Sequence, residues 1–371
     1  MPVQRLSDGP DMRVALFSKY PRMGASSRLR SLQFLPALAR AGIDVTPYPL
    51  FDETYLRQLY AGKGRSLRSV AARYAVRARQ LRRAGEFDLV WLEYEALPFV
   101  PFWLEQGLMP SGVPYVVDYD DAVFHNYDLS GRALVRRLLG DKIDRVMAHA
   151  AAVICGNDYL AERARQAGAQ RIERIPTVVD ATRYWAVPDA GNRQAVIGWI
   201  GSPSTQRYVQ SLRTVFERLH REHSIRLVLI GAQPGLADAF GTVPVEVLPW
   251  SEETEAEQVG RFDIGIMPLE DGPWEKGKCG YKLIQYMACG VPVVASPVGI
   301  NVEIVNENRC GQLAESVTEW AEALKKILSS RTLQSELGMA GREAVEQKYS
   351  LQVQAPLLAD ILRSVAQRGS S

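Results

Sequence analysis

The feature that most constrains this chain is a twofold series of short apolar runs separated by stretches of helical period. In the first half the runs fall at residues 13–18, 43–50, 87–94, 114–120 and 152–156, and in the second at 195–201, 225–231, 245–248, 262–269 and 291–296. Segments such as VALF, LVWL, RLVLIG and PVVAS are apolar at nearly every position instead of every other one. That pattern belongs to parallel strands covered on both faces. Between the first two runs lies 27–41, where Leu29, Leu32, Leu35 and Leu38 recur every three residues and predict a helix with one apolar stripe. Strands that alternate with helices require right-handed crossovers, so the expected class is α/β, with two doubly wound, Rossmann-like domains.

Periodicity is lost at 181–194, which carries Pro188 and Gly191 and reads as a linker. The expected organisation is a first domain at 12–180 with a helical insertion at 54–85, a second at 195–348, and a helix at 349–367 packing back on the first. A length of 371 residues suits two domains of roughly 100–200 residues each. Such a pair places its ligand in a cleft at the carboxyl ends of the strands.

Charge narrows the partners. Lys and Arg number 44 against 42 Asp and Glu, a net charge of +2 that does not mark a nucleic-acid binder. Between Glu53 and Glu86, however, there is no acid and there are nine bases: Arg57, Lys63, Arg65, Arg68, Arg73, Arg77, Arg79, Arg82 and Arg83. Removing these leaves 35 bases against 42 acids, a balance of −7. Leu56, Leu59, Tyr60, Leu67, Val70, Tyr74 and Leu81 lie among them, so residues 57–83 are expected to form an amphipathic surface for anionic lipid or another polyanion. The amino terminus has no signal-peptide pattern, and no apolar run approaches the ~18–20 residues of a membrane span. Even 89–104, the most apolar region, contains Glu93 and Glu95. Cys155, Cys279, Cys289 and Cys310 show neither a C-x-x-C pair nor a His at metal-ligand spacing. The expectation is a cytoplasmic protein with reduced thiols, docked peripherally on the inner face of the membrane if at all.

The sharpest motif spans 262–305, FDIGIMPLEDGPWEKGKCGYKLIQYMACGVPVVASPVGINVEIV. A buried strand leads to a loop, then to a helix that starts near Gly280 and stops at Gly290. A second strand, VPVVAS, is followed by the turn 297–299 and another short helix. Two helix N-termini at neighbouring strand ends suit a diphosphate. Gly277, Gly280 and Gly299 let backbone approach an anion, and Lys278 and Lys282 lie four apart at the helix start.

This stretch resembles the nucleotide-binding motif of retaining glycosyltransferases of the GT-B fold, family 4 (glycosyl transferases group 1). Met287-Ala288-Cys289-Gly290 matches the family's Met-Ala-x-Gly, Gly280 its motif glycine and Glu303 its closing acid. The two Glu of the family pattern fall on Gly277 and Gln285, and Ile300 takes the place of the second turn glycine. Elsewhere, 24–28 (GASSR) resembles the family's N-terminal loop and 172–184 the segment leading to its hinge. Trp199 stands where most members carry a phosphate-binding Arg. The resemblance runs over 12–366.

What it implies is a nucleoside-diphosphate sugar as donor, a glycan or lipid-linked hydroxyl as acceptor, retention at the anomeric carbon, and no metal or other cofactor. Lys278 and Lys282, assisted by N–H groups at Gly201 and Ser202, are expected to hold the departing diphosphate. Gln285 is expected near the ribose, with Glu303 closing the donor site, and Glu275 replaces the missing first Glu from a flexible loop. Gly24, in the loop after the first strand, is expected to face the donor; on the acceptor side stand Arg28 and Glu95, with the strand-end pair Asp120 and Asp121, either of which can orient or deprotonate a hydroxyl or simply cap the next segment. His125 is expected to be structural. Two rivals share the architecture: a sugar-nucleotide epimerase and a non-catalytic nucleotide-sugar-binding protein. A nicotinamide dehydrogenase is disfavoured because the first strand–helix turn lacks G-x-G-x-x-G.

Overall fold

The computed structural model describes residues 12–60, 66–186 and 194–369. The first sheet contains β1 (Met12–Phe17), β2 (Ile43–Pro47), β3 (Leu89–Glu93), β4 (Tyr115–Tyr119), β5 (Ala152–Cys155) and β6 (Ile172–Arg174). The second contains β7 (Ala195–Ile200), β8 (Ile225–Ile230), β9 (Val245–Leu248), β10 (Ile264–Met267), β11 (Val293–Ala295) and β12 (Gly311–Leu313). Strand order is β2-β1-β3-β4-β5-β6 in one and β12-β11-β10-β7-β8-β9 in the other, every pairing parallel. In each sheet the chain winds outward from its first strand and then returns to that strand's other side. The direction therefore reverses between β1 and β3, and between β7 and β10, where a doubly wound sheet opens a crevice at its carboxyl edge.

The chain divides into two compact units, one ending at Thr177 and resuming at Gln354, the other Val178–Val353. Val179 belongs to the second because it pairs with the end of that unit: its N–H donates to Tyr349 O at 3.1 Å and its carbonyl accepts from Leu351 N at 2.8 Å. The last helix, Leu351–Gly369, enters the first unit, where Arg171 donates to Ser364 Oγ at 2.8 Å. Of the expected linker, 187–193 lie outside the described residues.

Three local expectations need correction. Ten strands were legible, but β6 and β12, three residues each, are too short to carry an apolar signature. The helix expected at 27–41 is broken into Ala25–Arg30, a 3-10 turn Leu32–Phe34, and Leu35–Arg40. Pro36 causes the break, since it has no N–H to give and its ring would meet the carbonyl four residues back. Its inward face carries Ser27, Arg30, Ser31, Phe34 and Leu38, while Leu29, Leu32 and Leu35 are only half-buried. The basic segment forms the helices Glu53–Tyr60 and Leu67–Arg83, but its arginines are not all on the surface. Arg77 is buried, lies over the Phe17 ring and donates to Ser18 O (2.7 Å) and Tyr48 O (2.8 Å). Arg73 pairs with Asp52 and Arg57 with Glu53. Lys63 and Arg65 lie outside the described residues, leaving Arg68, Arg79, Arg82 and Arg83 exposed.

The second sheet fixes its site helix through a glycine. Tyr286 lies flat against Gly265 of β10, where an added Cβ would stand 2.3 Å from the ring. The Tyr286 hydroxyl accepts from Ile200 N and donates to Ile266 O, both at 3.1 Å, tying the helix Tyr281–Ala288 to β7 and β10 at the reversal point. Gly265→Ala is therefore expected to cost about 1–3 kcal/mol of stability through overpacking, read as a lower urea midpoint at unchanged slope.

Candidate functional site

In the second unit, β10 ends at Met267 and the chain makes a short helix, Pro273–Lys276, before turning at Gly280. Gly280 has φ of 67°, and an added Cβ would stand 2.4 Å from Ile304 Cδ1, so glycine is required twice over. The helix Tyr281–Ala288 then closes at Gly290 (φ 69°), whose N–H donates to Met287 O while Val291 N donates to Tyr286 O. Gly299 serves close packing as well: a Cβ there would meet Lys276 O at 2.8 Å. Gly277 ends the short helix, its N–H donating to Trp274 O at 3.1 Å. Glu303 lies in the first turn of the helix Ile300–Asn308, half-buried.

Lys282 is the decisive side chain here. Its amine sits 4.9 Å from the centroid of Trp199, a fully buried indole at the end of β7. Among the described residues no carboxylate and no hydrogen-bond acceptor meets that amine. Burial, and secondarily the charge of Lys278, pushes its pKa down to about 7. A cation–π contact is worth about 0.5–2 kcal/mol and does not replace a counter-ion in a desolvated place. An anion placed beside this lysine pair would supply the counter-charge that the indole does not.

Several expected contributors are engaged otherwise. Gly201 N donates to Ile230 O (3.0 Å) and Ser202 N to Thr205 Oγ1 (3.2 Å), so neither N–H is available for phosphate. Gly201 is needed because a Cβ would strike the Trp199 ring at 2.2 Å. Glu275 is on a helix, not a flexible loop; it is buried, accepts from the Tyr208 hydroxyl and has Arg207 at 3.5 Å. Gln285 is buried and donates to Tyr184 Oη at 3.1 Å. Tyr184 donates in turn to Glu255 Oε1 at 2.8 Å, and Trp250 Nε1 donates to Glu255 Oε2 at 2.7 Å. This relay, Gln285–Tyr184–Glu255–Trp250, was missed by sequence reasoning because its members lie far apart in the chain. Trp250 follows β9 and keeps about 36% of its surface exposed.

In the first unit, polar groups again collect where the sheet reverses. Glu93, the last residue of β3, is 2% exposed. Its Oε2 accepts from Ser27 Oγ (2.6 Å) and from Lys19 N (3.0 Å), which holds the loop after β1, while Oε1 has no partner. Burial, reinforced by the charge of Asp120, pushes its pKa up to about 7 against those hydrogen bonds. Arg30 and Asp118 form a buried ion pair at 2.5 Å, and burial still pushes Asp118 up to about 6. Asp120 accepts from the Tyr94 hydroxyl, and Asp121 O accepts from Val123 N at 2.8 Å in the turn that follows β4.

Glu95 is committed to the fold: its carboxylate pairs with Lys142 and accepts from the Tyr127 hydroxyl, and Lys142 also meets Glu105 at 3.1 Å. Arg28 is buried, with Nη1 3.4 Å from Arg22 O. Gly24 precedes the helix Ala25–Arg30 and packs on Tyr20. His125 is held between Asp128 and Tyr159 at 2.8 and 2.9 Å, a structural role as expected. Sequence reasoning missed Glu93. The available signal was an acid ending the apolar run LVWLE at a strand's carboxyl end.

Comparison with known proteins adds the family. Residues 194–330 match the model described as glycosyl transferases group 1, and residues 8–179 match a glycosyl transferase 4-like domain. No curated protein sequence matches. The fold is similar to sucrose-phosphate synthase from Thermosynechococcus elongatus (16% identity, 96% of this chain and 100% of that one, TM-score 0.73). It is also similar to Anabaena HepE in complex with UDP and glucose (16%, 95% and 100%, 0.70). A third likeness is to WaaG, a glycosyltransferase involved in lipopolysaccharide biosynthesis (14%, 94% and 99%, 0.65). Two six-stranded parallel sheets with flanking helices are the GT-B architecture.

The raised Glu93 pKa makes a signed prediction. Because the folded value, about 7, exceeds the ordinary 4.5, the native state holds a proton that the unfolded chain has released. Stability from this group therefore falls as pH rises from 4.5 through 7, by about 3 kcal/mol in all. Glu93→Gln is expected to gain on the parent chain by up to about that amount between pH 5 and pH 8 in urea unfolding. Parallel pH profiles would contradict it.

Proposed function

The chain is a glycosyltransferase of the GT-B fold, and from that premise we propose that it moves a sugar from a nucleoside diphosphate to an acceptor hydroxyl with retention at the anomeric carbon. Assembly of a polysaccharide or glycolipid is the setting that the family resemblance suggests. The observation that carries this reading is the Lys282 amine, desolvated beside Trp199 and Lys278 with no carboxylate to neutralise it among the described residues. A diphosphate supplies the missing charge. As the bond to the sugar breaks, negative charge builds on the phosphate oxygens, and Lys282 and Lys278 stabilise it. The structures of HepE with UDP and glucose, and with UDP-glucose, support a uridine nucleotide as the first donor to test.

Other roles follow by position. The relay from Gln285 to Trp250 lies in the same unit and orients the nucleoside, its amide and hydroxyl having remaining capacity for ribose oxygens. Glu303 closes the donor side. Asp120 and Asp121, after β4, orient the acceptor hydroxyl; retention then follows front-face attack, with no carboxylate as covalent nucleophile. The lysines carry the charge a divalent ion would otherwise neutralise, so transfer is expected to survive EDTA. No described helix is long and apolar enough to cross a membrane. Docking on anionic lipid would rest on Arg68, Arg79, Arg82 and Arg83, at about 1 kcal/mol each.

Calorimetry with UDP tests the central point. At pH 8 an amine with a pKa of about 7 is mostly neutral, and a bound diphosphate recharges it. Binding should therefore take up close to one proton, visible as a dependence of the apparent enthalpy on buffer ionisation heat. Lys282→Met should abolish that uptake and weaken UDP by about tenfold or more, as expected for a charge-assisted contact of ~1.5–3 kcal/mol. Unchanged affinity and unchanged proton uptake in the variant would remove Lys282 from the site.

A further inference from the structure

Large apolar side chains exposed to water are concentrated in one part of the chain. Phe99, Trp103, Leu104, Leu129, Leu134 and Leu138, six of the fourteen exposed ones among the described residues, fall within 99–138 of the first unit. A single exposed leucine needs no explanation, whereas a cluster marks a surface that something covers.

A buried ionic centre brings these segments together. The Lys142 amine meets the Glu95 carboxylate, Leu97 O and, at 3.1 Å, Glu105. Glu105 belongs to the helix Phe102–Gln106 and also accepts from Ala96 N (2.9 Å) and Leu97 N (3.1 Å). The Tyr127 hydroxyl donates to Glu95 and accepts from Phe99 N at 3.0 Å. Phe99, Trp103, Leu104, Leu129 and Leu138 each lie within four residues of a member of this centre, and Leu134 is one turn further along the helix Ala133–Leu139.

Two local features set this face apart from ordinary surface. Phe99 holds φ of 57°, a left-handed backbone that glycine adopts at no steric cost. What phenylalanine adds there is its ring, and 60% of the residue stands exposed. The helix Ala133–Leu139 buries only Leu139, although short helices in water draw their stability from a packed face. Its row of Leu134 and Leu138, one turn apart, is covered by no described residue.

Charge selects what covers the face. Across 96–139 the exposed charged residues are Arg132, Arg136 and Arg137, all basic. The acids of that stretch are buried or half-buried: Glu105 at the ionic centre, Asp118 with Arg30, Asp128 with Arg163 at 3.1 Å, and Asp120 and Asp121 after β4. Pro98 O accepts from the Tyr74 hydroxyl at 2.9 Å, so the loop of Phe99 borders the basic helix Leu67–Arg83. Aromatic, aliphatic and guanidinium groups on one surface without an exposed carboxylate suit a lipid interface. The apolar groups enter the boundary between headgroups and acyl chains, and the arginines stay at the phosphates. We propose that residues 99–138 form the face by which the first unit lies on an anionic bilayer, with Phe99, Trp103, Leu134 and Leu138 inserted and Arg132, Arg136 and Arg137 at the headgroups. It rests on the membrane-docking reading above for its partner, and shares no residue with the four arginines named there.

Cosedimentation of the full chain with phosphatidylglycerol–phosphatidylcholine vesicles, read together with tryptophan fluorescence, is the test. The parent chain is expected to bind, and part of the bound fraction should stay at high salt, where attraction by charge alone is screened. The spectral difference between parent and Trp103→Phe reports Trp103, which should shift to the blue on binding and be quenched by brominated acyl chains. Trp103→Ser, and separately Leu134→Ser with Leu138→Ser, should each weaken vesicle partition by about tenfold while melting and UDP affinity stay unchanged. Binding that leaves Trp103 in water, is fully released by salt and is unchanged in these variants overturns the apolar face and keeps docking by Arg68, Arg79, Arg82 and Arg83. Replacing those four by serine while Trp103 still inserts keeps the face and removes their share. A parent chain that does not bind overturns both. A concentration-dependent dimer that Trp103→Ser abolishes, with no vesicle binding, gives the face to a second copy and likewise overturns the proposal.

Discussion

A parallel sheet covered by helices on both faces has no room for polar chemistry except at its edges. The strand interiors obey this fully in β5 and β10, where every residue is buried and none is charged. What remains is the carboxyl edge, and along it the one gap where neighbouring crossovers leave in opposite directions. Both units place an ionisable group without a counter-ion near that gap: the buried Glu93 Oε1 beside β1 and β3, and the half-buried Lys282, whose amine stands over the Trp199 ring at the end of β7.

The two atoms have opposite character, and their surroundings keep them apart in kind. Around Lys282 the contacts are an indole and another lysine, so only an anion lowers the energy of the charged form. Around Glu93 the donors already present, Ser27 and Lys19 N–H, hold one oxygen and leave the other for neutral donors. Burial shifts both groups toward neutrality from opposite sides, to about 7 in each case. One group is therefore best satisfied by an anion and the other by a neutral hydrogen-bond donor.

Much of this was legible in the chain itself. The apolar runs gave ten of twelve strands, and glycines at 280 and 290 bounded the site helix because both positions need positive φ. Lys282 stood out by its spacing from Lys278. What escaped was whatever depends on which way a side chain turns. Gly201 and Gly299 read as anion-cradling glycines, whereas in the fold each clears a ring or a carbonyl. Arg77 belonged to a basic run by composition and to the core by its partners, two carbonyls and an aromatic face. Glu93 and Glu95, two residues apart at one strand end, differ only in that Lys142 and Tyr127 reach the second.

An indole at Trp199, where the family resemblance implies a guanidinium, has a physical consequence for the lysine beside it. Arginine keeps its charge at any physiological pH, and so holds a diphosphate before and after the reaction alike. An amine whose burial sets its pKa near 7 is charged mainly while an anion is bound to it, and relaxes to the neutral form when the anion leaves. Trp199 is fully buried and its ring faces the amine at 4.9 Å, so that side of the amine meets indole and not water. In the reaction proposed above, such an amine answers the charge that develops on a leaving diphosphate by taking up a proton, which a permanently charged guanidinium does not need to do.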